Sequence, residues 1–472
     1  MESKKFLKDI SASTIQVAIT QVANLLIFYL ISKYISKEEF GFYNWSIALS
    51  STIITLFSLG MDLVYVKRVA SGDKPETTIS IHFFHTIVSS VVLISTAAIC
   101  CAFFLDSLAF KDLFLLIVIN QSLFTIANSV KLCLNGYEKF NKLAVIAILT
   151  SITRVIFIVG LLLVGLFSIN LIVVAFIVSY MIEFGISYYI AGATLNYYIK
   201  PKAPLKEYKL LIIESFPQLG TVLFDSALAR IDWILMGIIA TSIKTAEYSF
   251  AYKIFEVSKL PYLIIAPILL TRFSKLFKVG KELNDLEKRN MDSLFKIEMF
   301  IAVLIPSIVI LIWTDFFDLL TDDKYGAVNQ ITYTILGICI PLHYTINFLW
   351  TMAFAQGQLK TIFMITALTS GLNILLNVIL ISTHGAEGAA FAFLISTIIQ
   401  VILYYRLTIQ DKYTLKFKTL LFNMIIGSIL VLTVYWLPIH FVFKGLIVFV
   451  IYLSLTRICN LFSIKILKSA FI

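Results

Sequence analysis

Charge is scarce in this 472-residue chain. Only 14% of residues are charged against 59% hydrophobic, and the mean hydropathy is +0.92. That balance excludes a soluble globule and marks an integral membrane protein. Cysteine is scarce as well. The five present (Cys100, Cys101, Cys133, Cys339, Cys459) lie in or beside apolar runs without CxxC spacing. They imply neither a disulfide framework nor a metal site. No GxxxxGK[ST] occurs, and Gly280-Lys281 lacks the hydroxyl and the glycine spacing of that motif. Nothing therefore suggests ATP held in the P-loop manner, and no cofactor is expected. Asp322-Asp323 in an outer loop is a weak metal candidate. His82 and His85 read as interfacial, since no acid or cysteine stands near them in sequence. The N-terminal lysines precede no small-residue cleavage site, so the first apolar run is expected to be retained.

A membrane span needs about 20 apolar residues. Windows of that length fall near 12–33, 40–62, 80–105, 112–134, 143–166, 168–191, 210–240, 246–271, 295–314, 329–351, 361–382, 387–408, 418–438 and 443–463. The expectation is an all-α membrane protein of about 14 transmembrane helices, with little length left for a soluble domain.

The net charge of +10 is uneven. With the N-terminus inside, inner segments hold 28 Lys/Arg and outer loops 6, while Arg154, Arg230, Lys253 and Lys259 fall within spans. Inner groups include Lys67/Arg68/Lys74, Lys131/Lys139/Lys142 and the run from Arg272 to Lys296, whose segment suits an amphipathic helix or a basic connector. This bias is the positive-inside rule and puts both termini in the cytoplasm. The excess is topological, so nucleic-acid binding is not expected.

Two stretches resemble each other. EEFGFYNWSIALSS follows the first span and TAEYSFAYKIFEVS follows the seventh; the alignment pairs Tyr43 with Tyr248 and Trp45 with Phe250. An even number of spans separates them, which predicts parallel repeats. The expected organisation is a six-helix bundle over 1–209, a second over 210–412, and two additional helices over 413–472.

Ionisable residues inside spans carry the chemistry, because a mid-membrane charge costs at least ~2.5 kcal/mol and survives where it is used. Asp225, Arg230 and Asp232 sit in the seventh span, and Lys253, Glu256 and Lys259 in the eighth. On a helix, Gln218, Asp225 and Asp232 form one stripe, while Arg230 falls on the side of Trp233. Tyr248, Tyr252, Glu256 and Lys259 fall within an arc of about 80°. Rings with an acid and a base suit a sugar-phosphate surface, lysine being a point-charge phosphate ligand. A Glu256–Lys259 pair that neutralises itself is the structural alternative, as is an interhelical ion pair for Arg230. Pro261 and Pro267 should loosen the inner half of this span. Arg154 and Glu183, near the centres of the fifth and sixth spans, should face the interior, and whether they pair is open. Gln16, Thr20 and Asn24 form a polar stripe of the kind that joins helices. Repeated charge in consecutive spans points to a polar cavity and a transporter.

SLGMDLVYVKRVAS (58–71) and ALARIDWILMGIIATSIKTAEYSFAYKIFEVSKLPYLIIAPILLTRFSKL (227–276) resemble segments of polysaccharide-type flippases. The family is the oligosaccharide flippase branch of the multidrug/oligosaccharidyl-lipid/polysaccharide (MOP) exporter superfamily. The resemblance carries over Arg230, Asp232, Tyr248, Lys253 and Glu256 as signature positions. Thr271 stands where the family turn has proline, and Ile35–Ser36 replaces its Leu-Gly. The resemblance implies two six-helix bundles around a central cavity and a polyprenyl-diphosphate-linked oligosaccharide as substrate. It further implies an inner-membrane role in assembling O-antigen, capsule or exopolysaccharide beside a polymerase and chain-length proteins. On that reading Arg154, Arg230, Tyr248, Tyr252, Lys253 and Lys259 bind substrate. Asp225, Asp232 and Glu256 would couple transport to H+ or Na+. The alternatives are a multidrug antiporter, which needs a more acidic cavity, and a polymerase or glycosyltransferase, for which a long outer loop is missing.

Overall fold

The computed structural model describes residues 2–103, 110–195, 198–277, 283–408 and 413–461, with side chains except those of 2–15, 221, 223–229, 263–264, 267–268 and 271. Among the described residues there are helices and no strands. In chain order they are α1 (Glu2–Tyr34), α2 (Lys37–Phe57), α3 (Met61–Ser71), α4 (Pro75–Phe103), α5 (Lys111–Gly136), α6 (Phe140–Leu163), α7 (Ile169–Leu195) and α8 (Leu205–Ile239). There follow α9 (Ser242–Ser258), α10 (Leu260–Leu276), α11 (Asp285–Thr321), α12 (Gly326–Ala355), α13 (Leu359–Leu407), α14 (Phe417–Tyr435) and α15 (Phe441–Ile458).

Among the described residues, each of the fourteen apolar windows falls largely on helix, and ten helices are long and apolar enough to cross a membrane, or eleven if α2 and α3, bent by 53°, form one span. The seventh and eighth windows, on α8 and on α9–α10, are not among them. These are the segments loaded with charge, and the eighth is broken in two. Ten or eleven helices of span length and apolarity among the described residues fall short of the expected fourteen.

The chain divides into two compact units, Met1–Gly237 and Ile238–Ile472. In the first, α5 packs on α4 and α7, and α1 on α6. Its core includes Tyr65, Phe83, Val130, Cys133, Leu134 and Ile146. In the second, α12 packs against α9, α10, α11 and α13, while α14 and α15 pack on α11 through Phe300, Leu304, Leu430, Val448 and Tyr452.

Local structure repeats along with the sequence. Ser36 caps α2 by accepting from the Glu39 N–H, and Thr241 caps α9 by accepting from the Lys244 N–H. A hydroxyl at the N-cap satisfies an amide that the helix leaves open, and both caps fall 205 residues apart. Ser36 is where the family's Leu-Gly is missing, so the cap supplies the chain direction there. Each capped helix is then broken: α2 gives way to α3 at Gly60, and α9 to α10 at Lys259. Gly60 has φ +71°, and a Cβ there would lie 2.8 Å from the Leu219 nitrogen of α8. Only glycine allows both.

The two windows at 361–382 and 387–408 run through one helical stretch, α13. Its 49 residues would extend about 74 Å if straight, over twice the apolar thickness of a bilayer. The break at Gly385 (φ 54°, ψ −126°) divides it into two span-length pieces.

Candidate functional site: a cation cluster and the signature segment

In the first unit three helices deliver charge to one point. Glu183 on α7 has a side chain only 1% exposed. Its Oε1 accepts from Lys131 Nζ of α5 at 2.5 Å and its Oε2 from Arg154 Nη2 of α6 at 2.8 Å. A lone carboxylate at this depth would be prohibitive, and two hydrogen-bonded cations offset that cost. The open pairing of Arg154 with Glu183 is thus resolved, and both face the interior. Lys131, which the charge distribution had grouped with cytoplasmic loop cations, is its third member. Its lysine stem reaches in from the end of an apolar helix, which composition does not reveal.

Two cations on one carboxylate leave the cluster with a formal charge of +1. Aromatic rings surround it. The Arg154 guanidinium stands 4.8 Å from the Tyr180 ring centre, and Lys131 Nζ 5.6 Å from that of Phe124. Phe124 and Tyr180 lie 5.3 Å apart, and Tyr43 of α2 is in electrostatic reach of Arg154. The Arg154 Nε atom is buried and meets no acceptor among the described atoms. A guanidinium carries five N–H donors in a fixed fork, so this one retains capacity for an anion.

The signature segment is arranged differently. On α8, Arg230 lies over Trp233 at 4.5 Å, on the side the helical spacing assigned. Asp232 is 2% exposed and its Oδ1 accepts from the Trp233 N–H at 2.8 Å. The side chain of Asp225 lies outside the described residues. On α9, Lys253 Nζ binds Glu256 Oε2 at 2.9 Å. Tyr248 and Tyr252 are buried, their rings 5.8 Å apart, and Tyr252 meets Phe393 edge-on at 5.9 Å. Lys259 is the cap between α9 and α10, its Nζ 4.0 Å from the Phe255 ring centre.

The expected arc of Tyr248, Tyr252, Glu256 and Lys259 is therefore split. A continuous helix was assumed, but it stops at Ser258 with Lys259 as its cap, and Glu256 binds Lys253. The break also falls earlier than Pro261 and Pro267 suggested. Pro261 sits in the first turn of α10, where its missing N–H removes no helical bond. The Pro267 side chain lies outside the described residues.

His82 and His85 are both buried within the protein. His82 Nε2 meets Asp62 Oδ1 at 2.8 Å. The partner is 20 residues back, brought over by the α2–α3 bend. The signal was an acid inside SLGMDLVYV, an otherwise apolar run.

Two helical units, with paired charges buried among helices of span length, define a multi-pass helical membrane protein. The fold is similar to that of lipid II flippase MurJ in an inward closed conformation, with a TM-score of 0.74 and 16% identity over 95% of this chain and 99% of that one. It is also similar to an inward-facing multidrug resistance MATE family transporter of the MOP superfamily (0.63, 14%, 88% and 98%). A MOP superfamily transporter from Pyrococcus furiosus gives 0.55 and 12% identity over 88% and 94%. At these identities the likeness is one of fold. Residues 6–277 match the family described as polysaccharide biosynthesis protein, and the chain belongs to that family. Among curated proteins no sequence matches it.

Proposed function

We propose that this protein is a flippase that carries a polyprenyl-diphosphate-linked oligosaccharide across the bacterial cytoplasmic membrane for surface-polysaccharide assembly. The observation that carries this reading is the Lys131–Glu183–Arg154 cluster, a net positive site among aromatic rings with an unfilled guanidinium donor. Glu183 acts as an internal anion that holds the two cations together until a diphosphate takes its place on them. Charge-assisted bonds to phosphate compete well with those to carboxylate, and arginine's fork fits two phosphate oxygens. The rings of Phe124 and Tyr180 give a sugar a flat apolar surface.

Arg230, Lys253 and Lys259 are the further cations assigned to the diphosphate and any acidic sugar, and Tyr248 and Tyr252 are assigned to substrate binding as well. The polyprenyl tail stays in lipid. Asp225, Asp232 and Glu256 are the acids assigned to coupling with an H+ or Na+ gradient. Alternating access exposes the cations first to one side of the membrane and then to the other. Both termini are cytoplasmic, and a polymerase takes over the repeat unit outside.

Complementation of a strain lacking its own repeat-unit flippase tests the reading. Arg154→Ala and Lys131→Ala are expected to abolish surface polysaccharide at unchanged membrane protein level, while exposed Lys288→Ala supports normal output. Normal output from both cluster variants rejects it. Efflux of a cationic dye without polysaccharide output indicates the multidrug reading instead.

A further inference from the structure

We propose that His82 is a proton-binding site, charged through Nδ1 and balanced by Asp62, that serves the transport proposed above as a further coupling group beside the acids assigned there. The inference rests on that reading for its role in transport, and on geometry for proton binding itself.

The site is built from three helices. His82 Nε2 donates to Asp62 Oδ1 of α3 at 2.8 Å, and His82 Nδ1 meets Ser129 Oγ of α5 at 2.8 Å. The imidazole is 3% exposed, while the Asp62 side chain is 49% exposed. A buried ring is thus bonded to a half-exposed carboxylate. A small cavity runs beside it, lined by Phe57, Asp62, His82, His85, Ser89 and Thr125. Its walls carry hydroxyls and a carboxylate beside the ring.

The bonding lets a proton come and go without leaving any group unsatisfied. In the neutral ring, Nε2–H points at the carboxylate and Nδ1 accepts from the Ser129 hydroxyl. When Nδ1 takes a proton, it donates instead, and the Ser129 hydroxyl rotates to become the acceptor. Both bonds persist and the new charge faces Asp62. His82 is singled out from its neighbour by that carboxylate: His85 is held by the Phe57 carbonyl at 2.8 Å and the Tyr208 hydroxyl at 2.9 Å, neither of which balances a charge.

The other titratable groups that face this centre are few. Tyr65 of α3 stacks on the His82 ring at 4.3 Å. His85 lies one turn on along α4, with Tyr208 of α8 beyond it. Cys133 of α5 is hydrogen-bonded with Tyr65. From α2 comes only the Phe57 carbonyl. No lysine or arginine is bonded to Asp62 among the described residues, so its charge is directed at His82. Because Asp62 opens α3 directly after the Gly60 bend, proton binding tightens the hold of α3 on α4. Proton release loosens the same joint, which is how the site acts on conformation.

The test uses the full chain, 15N-labelled at its five histidines, in phosphatidylethanolamine–phosphatidylglycerol vesicles. H82Q identifies the His82 signals by their loss. Should H82Q lower the protein level, S129A identifies them by their displacement. His82 is expected to give the signals of a ring that takes up a proton at Nδ1, and D62N to weaken that uptake at least tenfold. A His82 signal that keeps one form throughout the titration overturns the proposal whatever the protein transports.

The second arm follows flipping of a fluorescent short-chain polyprenyl-diphosphate N-acetylglucosamine under an imposed pH difference. Wild type is expected to accelerate several-fold with the gradient, and H82Q to show no acceleration. An equal gradient response in both rejects His82 as a coupling group and leaves the flippase reading intact. No flipping by either rejects the flippase reading, and the titration then decides proton binding alone.

Discussion

Arg154 on α6 donates through Nη2 to Glu183 Oε2 on α7 across 2.8 Å, while the other oxygen of Glu183 holds Lys131. One buried carboxylate thereby ties three helices, and its two cations differ in what their loss would do.

Removing one cation leaves Glu183 still paired, so Arg154→Ala and Lys131→Ala should each insert at near wild-type level. Removing both strands the carboxylate, at a cost of about 3–5 kcal/mol. The double variant is expected to fall several-fold in membrane level, and adding Glu183→Gln to restore it. Quantitative blotting of membrane fractions checks this. A double variant as abundant as wild type would show that Glu183 does not depend on its cations.

Arg230 lies over Trp233, a contact that uses the planar face of the guanidinium. Cation–ring contacts of this kind contribute about 0.5–2 kcal/mol. Arg230→Ala is expected to leave protein level near normal and cut polysaccharide output at least tenfold. Arg230→Lys should recover only part, since lysine lacks the fork. Full output in both variants removes Arg230 from the substrate path.

The break in α13 should be intolerant of a side chain. Gly385 has a backbone conformation closed to other residues, which costs about 1–3 kcal/mol when forced. At Gly388 an added Cβ would lie 2.0 Å from the Leu380 carbonyl oxygen, so backbone must move. Thermal unfolding of the detergent-solubilised protein is expected to show a lower midpoint for Gly385→Ala and a larger drop for Gly388→Ala. Unchanged midpoints would mean that the break relaxes freely.

Topology is checked by cysteine substitution in a cysteine-free background. Positions 142 and 139 should be shielded from an impermeant thiol reagent in intact cells, while 322 and 383 are labelled. Labelling at 142 from outside reverses the orientation assigned by the positive-inside bias.

Much of the fold is written in the chain itself. Apolar runs of span length had to become helices, because backbone amides find no other partners in lipid. The 205-residue echo reappeared as matched caps at Ser36 and Thr241, for N-capping is decided by a few adjacent residues. The side of α8 that carries Arg230 and Trp233 also followed from helical spacing alone. Tertiary structure decided the rest. Which helices meet is not encoded by period, so only packing could bring Lys131 and Arg154 to the same carboxylate, or Asp62 to His82. The break at Lys259 ended the helix that the expected arc assumed, and Glu256 binds Lys253 within it. A local pattern fixes which face of a helix a side chain occupies; its partner is fixed by the neighbouring helix, and charge in an apolar interior makes that partner matter most.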